Sequence, residues 1–238
     1  SVGVPFKGVN INIFEPDAEG LGEIIVKNKN CMKGYFGVSD HKVSISPEKW
    51  FHTGDAGYFD KAGHLVVIDR VSDLSFTSKK LRYSPQYLEN KLKFSPFIAE
   101  AALIGSNKPY LSSIICIRYS VLSKWAEQKR VPFTTYSDLA SKQEIEKLLE
   151  SEVKKVNESV PKKQQIKKFV LLYKEFDADD DELTRTKKLR RNFVISKYNE
   201  IVEAIYNQQK SVKIDAVINL QDGGTQKIKT ELNIINME

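Results

Sequence analysis

Cysteine is scarce: Cys31 and Cys116 are the only two in 238 residues, too few for a disulfide framework, so a reducing, cytoplasmic setting is expected. Methionine is equally sparse, with Met32 and Met237, and the chain opens on Ser1, so a piece of something longer is expected. No apolar run approaches the ~18–20 residues of a membrane helix. The opening Ser1-Val2-Gly3-Val4-Pro5 lacks the charged start and apolar stretch of a signal peptide. His41, His52 and His64 show no ligand spacing with the cysteines, which argues against zinc. Neither G-x-S-x-G nor G-x-G-x-x-G occurs, removing the usual hydrolase and dinucleotide readings.

What is present is an ordinary core-forming composition, 41% hydrophobic, with 37 basic against 31 acidic residues. The resulting charge of +6 favours anionic partners without naming one. The first seventy residues read as strands and turns: Val9, Ile11 and Ile13 alternate with Asn10 and Asn12, and Glu23-Ile24-Ile25-Val26 and His64-Leu65-Val66-Val67-Ile68 follow turns. After Arg70 strands alternate with helices. Ser84-Pro85 opens a helix, 98–105, 113–118 and 169–173 are apolar runs of strand length, and 142–159 and 193–206 have helical spacing. The fold class expected is therefore α+β, with a β-rich section over 1–69 and a small α+β domain over 70–207. Val212 to Leu220 and Ile228 to Ile234 alternate around Asp222-Gly223-Gly224, which predicts a β-hairpin tail over 208–238 that needs a surface to pack on.

Two stretches could carry chemistry. In Trp50-Phe51-His52-Thr53-Gly54-Asp55 a carboxylate is offered at a tight, Gly-permitted turn, suited to ligand hydroxyls; Arg70 ends an apolar strand, where a guanidinium suits a phosphate. An Asp closing a turn and an Arg on a rim explain the same pattern. The second stretch runs from Asp177-Ala178-Asp179-Asp180-Asp181-Glu182 into Arg185-Thr186-Lys187-Lys188-Leu189-Arg190-Arg191. The acidic half lacks the sixth-position Gly and distal Glu of a calcium loop, and reads instead as acids near a helix start. The basic half has no aromatic platform or recognition helix, so nucleic acid is not an expected partner.

In this order and separation, these stretches resemble the adenylate-forming, AMP-binding superfamily, which includes acyl-CoA synthetases. Gly3-Val4-Pro5-Phe6-Lys7-Gly8 looks like the end of its "G-x-x-G-x-P-x-x-G" segment, and Gly22-Glu23-Ile24 like the close of "G-E-x-G-E-I", although Glu19-Gly20 reverses the opening pair. Met32-Lys33-Gly34-Tyr35 matches "M-x-G-Y". Trp50 to Asp55 matches "G-W-x-x-T-G-D" in all but its leading Gly, and Ile68-Asp69-Arg70-Val71-Ser72-Asp73 matches the hinge "x-x-R-x-K/S-D". Leu183-Thr184-Arg185-Thr186-Lys187-Lys188 looks like "L-T-x-T-x-K". The wording around Asp181 to Thr186 is most similar to bacterial long-chain fatty acid–CoA ligases.

The resemblance implies a two-step ligase joining a fatty acid to coenzyme A through an acyl-adenylate, with ATP and coenzyme A as co-substrates and Mg2+ as cofactor. By motif match Asp55 would hold the ribose hydroxyls of ATP, Arg70 would contact the nucleotide near ribose and phosphates, and Ser72 would lie at the hinge. Lys188 would be the adenylation lysine; Lys187 competes, and the "T-x-K" spacing favours Lys188. Residues 1–69 would then be the β-rich end of the large nucleotide-binding domain and 70–207 a mobile lid packing on a further N-terminal part, with peripheral association at the inner membrane face allowed. The family's phosphate loop, "S-S-G-T-T-G-x-P-K", and its acyl pocket, built from upstream sequence, are absent from this chain, so these residues alone are not expected to catalyse the reaction. Mg2+ would be bound mainly by that other part. Ser78-Lys79-Lys80-Leu81-Arg82-Tyr83 has no Gly where the family has one that lets pantetheine approach. This departure leaves a non-catalytic nucleotide-binding or regulatory module as the alternative.

Overall fold

Asp17, Gly20, Asp60 and Gly63 shape the turns of the N-terminal sheet. The Asp17 carboxylate accepts from the Glu19 and Leu21 amides, and Asp60 from the Ala62 and His64 amides, which holds its carboxyl below the usual range. These turns connect strands of a four-stranded antiparallel meander, β1 (Asn10–Phe14), β2 (Gly22–Lys27), β3 (Phe51–Phe59) and β4 (Leu65–Arg70). The computed structural model describes residues 1–32, 45–46, 49–219 and 225–237. Lys33, Gly34 and Tyr35 of the "M-x-G-Y" match, His41 and the Asp222-Gly223-Gly224 turn lie outside them. The chain divides into two compact units, Ser1–Leu74 and Ser75–Glu238.

In the first unit the core is thin: Leu21, Ile24, Ile25, Ala56 and Leu65 are buried. One finding corrects the sequence reading. Thr53-Gly54-Asp55 lies inside β3 and forms a bulge rather than a chain-reversing turn. Glu23 pairs with Ala56 and Ile25 with His52, so Ile24 faces Thr53, Gly54 and Asp55 together. Gly54 permits this through its left-handed φ of +71°. Beyond the bulge the strands close up; a Cβ on Gly57 would lie 2.5 Å from the Val66 carbonyl oxygen.

The second unit holds a two-stranded ribbon of β5 (Ser75–Phe76) and β6 (Arg82–Tyr83), then a five-stranded sheet in the order β10-β11-β9-β8-β7. Its members are β7 (Ile98–Ile104), β8 (Leu111–Ile117), β9 (Ile166–Leu171), β10 (Ser211–Asn219) and β11 (Thr225–Asn236). Among the described residues, β8 and β9 are the one pair of these strands that runs parallel. Ile114 to Ile117 of β8 and Phe169 to Leu171 of β9 are consecutive apolar residues because both faces are covered there. Leu103, Ile115 and Phe169 face one buried cluster; Ala102, Ile114 and Val170 face the other.

Helices supply both coverings. On the first face lie α1 (Pro85–Lys93), α2 (Tyr119–Lys129), α3 (Tyr136–Ala140) and α4 (Gln143–Glu158). The Ser84 hydroxyl caps α1 by accepting from the Tyr87 amide at 2.9 Å, with Pro85 in the first turn. Ile145, Leu149 and Val153 put α4 on the sheet at a four-residue repeat. The opposite face is covered by α5 (Arg191–Lys197) and α6 (Asn199–Tyr206). The single helical stretch expected over 193–206 is thus broken at Tyr198, whose side chain is bonded to a buried carboxylate described below. Helices α2 and α3 had no counterpart in the sequence reading, although Thr135 caps α3 through the Asp138 amide. The C-terminal hairpin finds its packing surface as the sheet's edge, where Ile234, Ile235 and Asn236 pair with Val170, Phe169 and Lys168. Among the described residues no helix is long and apolar enough to cross a membrane.

Candidate functional site

The bulge of β3 is held from within. Glu23 reaches across from β2: its Oε2 lies 2.8 Å from His52 Nδ1, and its Oε1 accepts the Gly54 amide at 3.0 Å. The Thr53 hydroxyl donates to the Ile24 carbonyl at 2.7 Å and accepts the Asp55 amide at 3.0 Å. Three side chains, Glu23, His52 and Thr53, therefore fix the backbone on which Asp55 is mounted. Asp55 and Arg70 are direct register partners, with Arg70 Nη1 3.1 Å from Asp55 Oδ1 and 3.2 Å from the Thr53 carbonyl. Their side chains are 40% and 62% exposed, so the pair is well screened and contributes about 0–1 kcal/mol to stability. Its exposed carboxylate and guanidinium are what a polyhydroxylated anion can use.

Ser72 follows directly, in one turn of 3-10 helix at Val71–Asp73, with its hydroxyl donating to Asp73 at 3.0 Å. It is exposed and touches neither Asp55 nor Arg70 by hydrogen bond; the division between the two units falls after Leu74.

Lys188 belongs to the second unit and sits on a small hairpin. Leu183 and Leu189 form its bridge, the Arg190 amide donates to the Glu182 carbonyl at 2.9 Å, and the Thr184 amide to the Lys188 carbonyl at 2.8 Å. The Thr184 hydroxyl accepts the Lys188 amide at 3.0 Å, and the reversal passes through Lys187 at a left-handed φ of +58°. The Lys187 side chain is exposed, as is that of Lys188, whose ammonium makes no ion pair among the described residues.

At the base of this hairpin one acid of the flank, read from the sequence as lying near a helix start, is enclosed. Glu182 is 0% exposed. Its Oε2 takes the Lys174 ammonium at 2.7 Å and the Asp177 amide at 2.9 Å; its Oε1 takes Lys197 at 2.9 Å and the Tyr198 hydroxyl at 2.5 Å. Asp180 Oδ2 adds a second partner for Lys174 at 2.7 Å. Burial works to lower the Lys174 pKa, but bonds and charge from Asp180 and Glu182 outweigh it and raise it. Burial, then the bond to Glu182, raise the Tyr198 phenol. The exit of the hairpin is tied as well: Arg191 grips the buried Glu89 of α1 through two bonds, 2.8 and 2.6 Å, and Glu89 also accepts the Leu103 amide. Although Glu23 lies in the Gly22-Glu23-Ile24 match, the sequence does not mark Glu23, Glu89 or Glu182 as anchors, because each has partners distant along the chain: His52 and Gly54, Arg191, and Lys197 and Tyr198.

The Gly-free loop over 78–83 closes as a tight turn nonetheless. Lys80 adopts φ +60°, its amide donates to the Thr77 carbonyl, and Thr77 bonds Leu81 through both backbone and hydroxyl. A lysine occupies a conformation that glycine takes without cost.

Residues 73–210 match the family model described as the AMP-binding enzyme C-terminal domain. The chain is 29% identical over 210 residues to the long-chain-fatty-acid–CoA ligase FadD15 of Mycobacterium tuberculosis, covering 88% of this chain and 34% of that protein. It is 29% identical over 222 residues to the human long-chain-fatty-acid–CoA ligase ACSBG1, covering 85% of this chain and 31% of that one. The chain therefore spans about a third of the length of the curated relatives it matches. Among solved structures, the A domain of the carboxylic acid reductase from Segniliparus rugosus, in complex with AMP and a co-purified carboxylic acid, shares the fold with a TM-score of 0.54 and 19% identity, covering 86% of this chain and 32% of that one. The chain belongs to the adenylate-forming, AMP-binding enzymes, and over residues 73–210 it is their C-terminal domain.

Proposed function

We propose that this chain is the C-terminal part of an ATP-dependent long-chain fatty acid–CoA ligase acting in the cytoplasm. A fatty acid carboxylate attacks the α-phosphorus of ATP, giving acyl-adenylate and pyrophosphate; the coenzyme A thiol then displaces AMP to give the thioester. The reading is supported above all by the Lys188 hairpin, which holds on an anchored backbone an exposed ammonium that makes no ion pair among the described residues. Negative charge accumulates around the attacked phosphoryl group in the transition state, and a preorganised ammonium stabilises it strongly in a poorly hydrated site.

In this reading Asp55 accepts hydrogen bonds from the ribose hydroxyls, and Arg70, already directed along the same edge, meets the ribose and phosphate side of the nucleotide. Ser72 would be the pivot on which the second unit, with Lys188, leaves after adenylation to admit coenzyme A. Among the described residues no group of three or more His, Cys, Asp or Glu could hold a metal ion, so no residue here is assigned to Mg2+. The phosphate loop and the acyl pocket would be supplied by other sequence of the whole protein. The test is acyl-CoA formation by the protein expressed from its complete reading frame, with ATP, coenzyme A and acids from acetate to palmitate. Turnover that rises with chain length is expected; absence of thioester with every acid would overturn the reading.

A further inference from the structure

A buried charge is costly, and an ion pair inside a protein often stabilises no better than apolar side chains of the same volume. Glu182 is nonetheless fully buried and carries two ammonium groups, a phenol and an amide on its two oxygens. Its four partners come from two segments, one before the hairpin and one after it. Lys174 follows β9, Asp177 opens the acidic loop, Lys197 ends α5, and Tyr198 breaks α5 from α6. What the cluster specifies is a geometry: the Glu182 carbonyl is itself the rung that accepts the Arg190 amide and closes the hairpin. From that rung to Lys188 the chain has one course, through the Leu183–Leu189 bridge and the Thr184 bonds.

We propose that Glu182 is a positioning residue for Lys188: its carboxylate, gripped by Lys174, Lys197 and Tyr198, fixes the root of the hairpin so that the Lys188 ammonium is delivered at one place relative to the second unit. The proposal rests on the adenylation role given to Lys188 above. The Arg191–Glu89 pair holds the other end, so the hairpin travels with its unit rather than moving alone. Displacing a catalytic group by about 1 Å costs on the order of 10²-fold in rate, which is the scale on which such an anchor acts.

The experiment uses the protein from its complete reading frame and compares Glu182→Gln with wild type. Glutamine keeps the shape and an acceptor but removes the charge facing Lys174 and Lys197. Trypsin cleavage of the native protein after Arg185, Lys187 and Lys188 should quicken about tenfold, reporting local opening of the hairpin. The kcat for acyl-adenylate formation should fall roughly 10–100-fold with the KM for ATP unchanged, while thioester formation from supplied acyl-adenylate is retained. Should Glu182→Gln not fold, Lys197→Met removes one partner only and should shift both readouts the same way by a smaller factor. A folded variant with wild-type cleavage and wild-type adenylation, or with equal loss in both half-reactions, would overturn the proposal. A wild-type protein lacking both half-reactions would instead overturn the ligase reading and the adenylation part of this proposal with it; the cleavage rates alone would then decide whether Glu182 holds the hairpin.

Discussion

Asp55 and Arg70 face each other across β3 and β4, Nη1 to Oδ1 3.1 Å, on a bulge whose backbone is fixed by other side chains. Arg70 also donates to the Thr53 carbonyl across the strands, but both side chains are exposed and add little to stability. Asp55→Asn and Arg70→Ala should each change stability by less than about 1 kcal/mol, because the pair is exposed and screened. Each should raise the KM for ATP roughly tenfold or more, since a charged group loses its hydrogen-bonding partner on the ligand. Thermal unfolding beside steady-state kinetics checks both halves.

Glu23→Ala should behave in the opposite way on stability. It removes the acceptor for the Gly54 amide and the partner of His52, leaving polar groups of the bulge unsatisfied. A loss of about 1–3 kcal/mol is expected. The KM for ATP should rise as well, through Asp55, although Glu23 touches no nucleotide in the proposed site. Urea unfolding and ATP kinetics on the same variant measure the two effects.

Burial pushes the Tyr83 phenol from its ordinary 10 up to about 12. The sign follows from linkage: the unfolded chain loses this proton first, so the stabilisation is complete below pH 10 and is lost as pH rises towards 12. The full effect is on the order of 3 kcal/mol. Denaturant titrations from pH 9 to 12 should show stability falling, with a shallower fall in Tyr83→Phe. Tyr198 and Tyr206, also raised by burial, contribute in the same direction.

Lys80 holds a left-handed backbone in the loop over 78–83. Lys80→Gly should relieve that conformation and stabilise the protein by about 0.5–1 kcal/mol, the gain being limited by the larger freedom of glycine in the unfolded chain. A lower melting temperature for Lys80→Gly would show that the lysine side chain contributes a contact worth more than the conformational cost.

Much of the fold is legible where the pattern is local. Alternation in Ile11, Ile13 and their neighbours marks β1, Ser84-Pro85 marks the start of α1, and the four-residue repeat from Ile145 marks α4. Asp55, Arg70 and Lys188 stand out as candidates because they lie in motifs of the resemblance. What stays hidden depends on partners far along the chain. Thr53-Gly54-Asp55 reads as a turn until Glu23, from another strand, holds it as a bulge. Glu182 reads as one more acid in a polar run until Lys174, Lys197 and Tyr198 enclose it. The break at Tyr198, whose hydroxyl bonds the same buried carboxylate, is likewise something helical periodicity cannot register.

The central claim is that Lys188 acts in adenylation, and separating the two half-reactions in Lys188→Ala tests it most directly. Pyrophosphate exchange with a long-chain acid, measured in the protein from its complete reading frame, should fall roughly 10²–10³-fold, as loss of a group that stabilises developing charge demands. Thioester formation from supplied acyl-adenylate and coenzyme A should stay near wild type. Equal losses in both half-reactions, or undiminished exchange, would contradict the role assigned to Lys188.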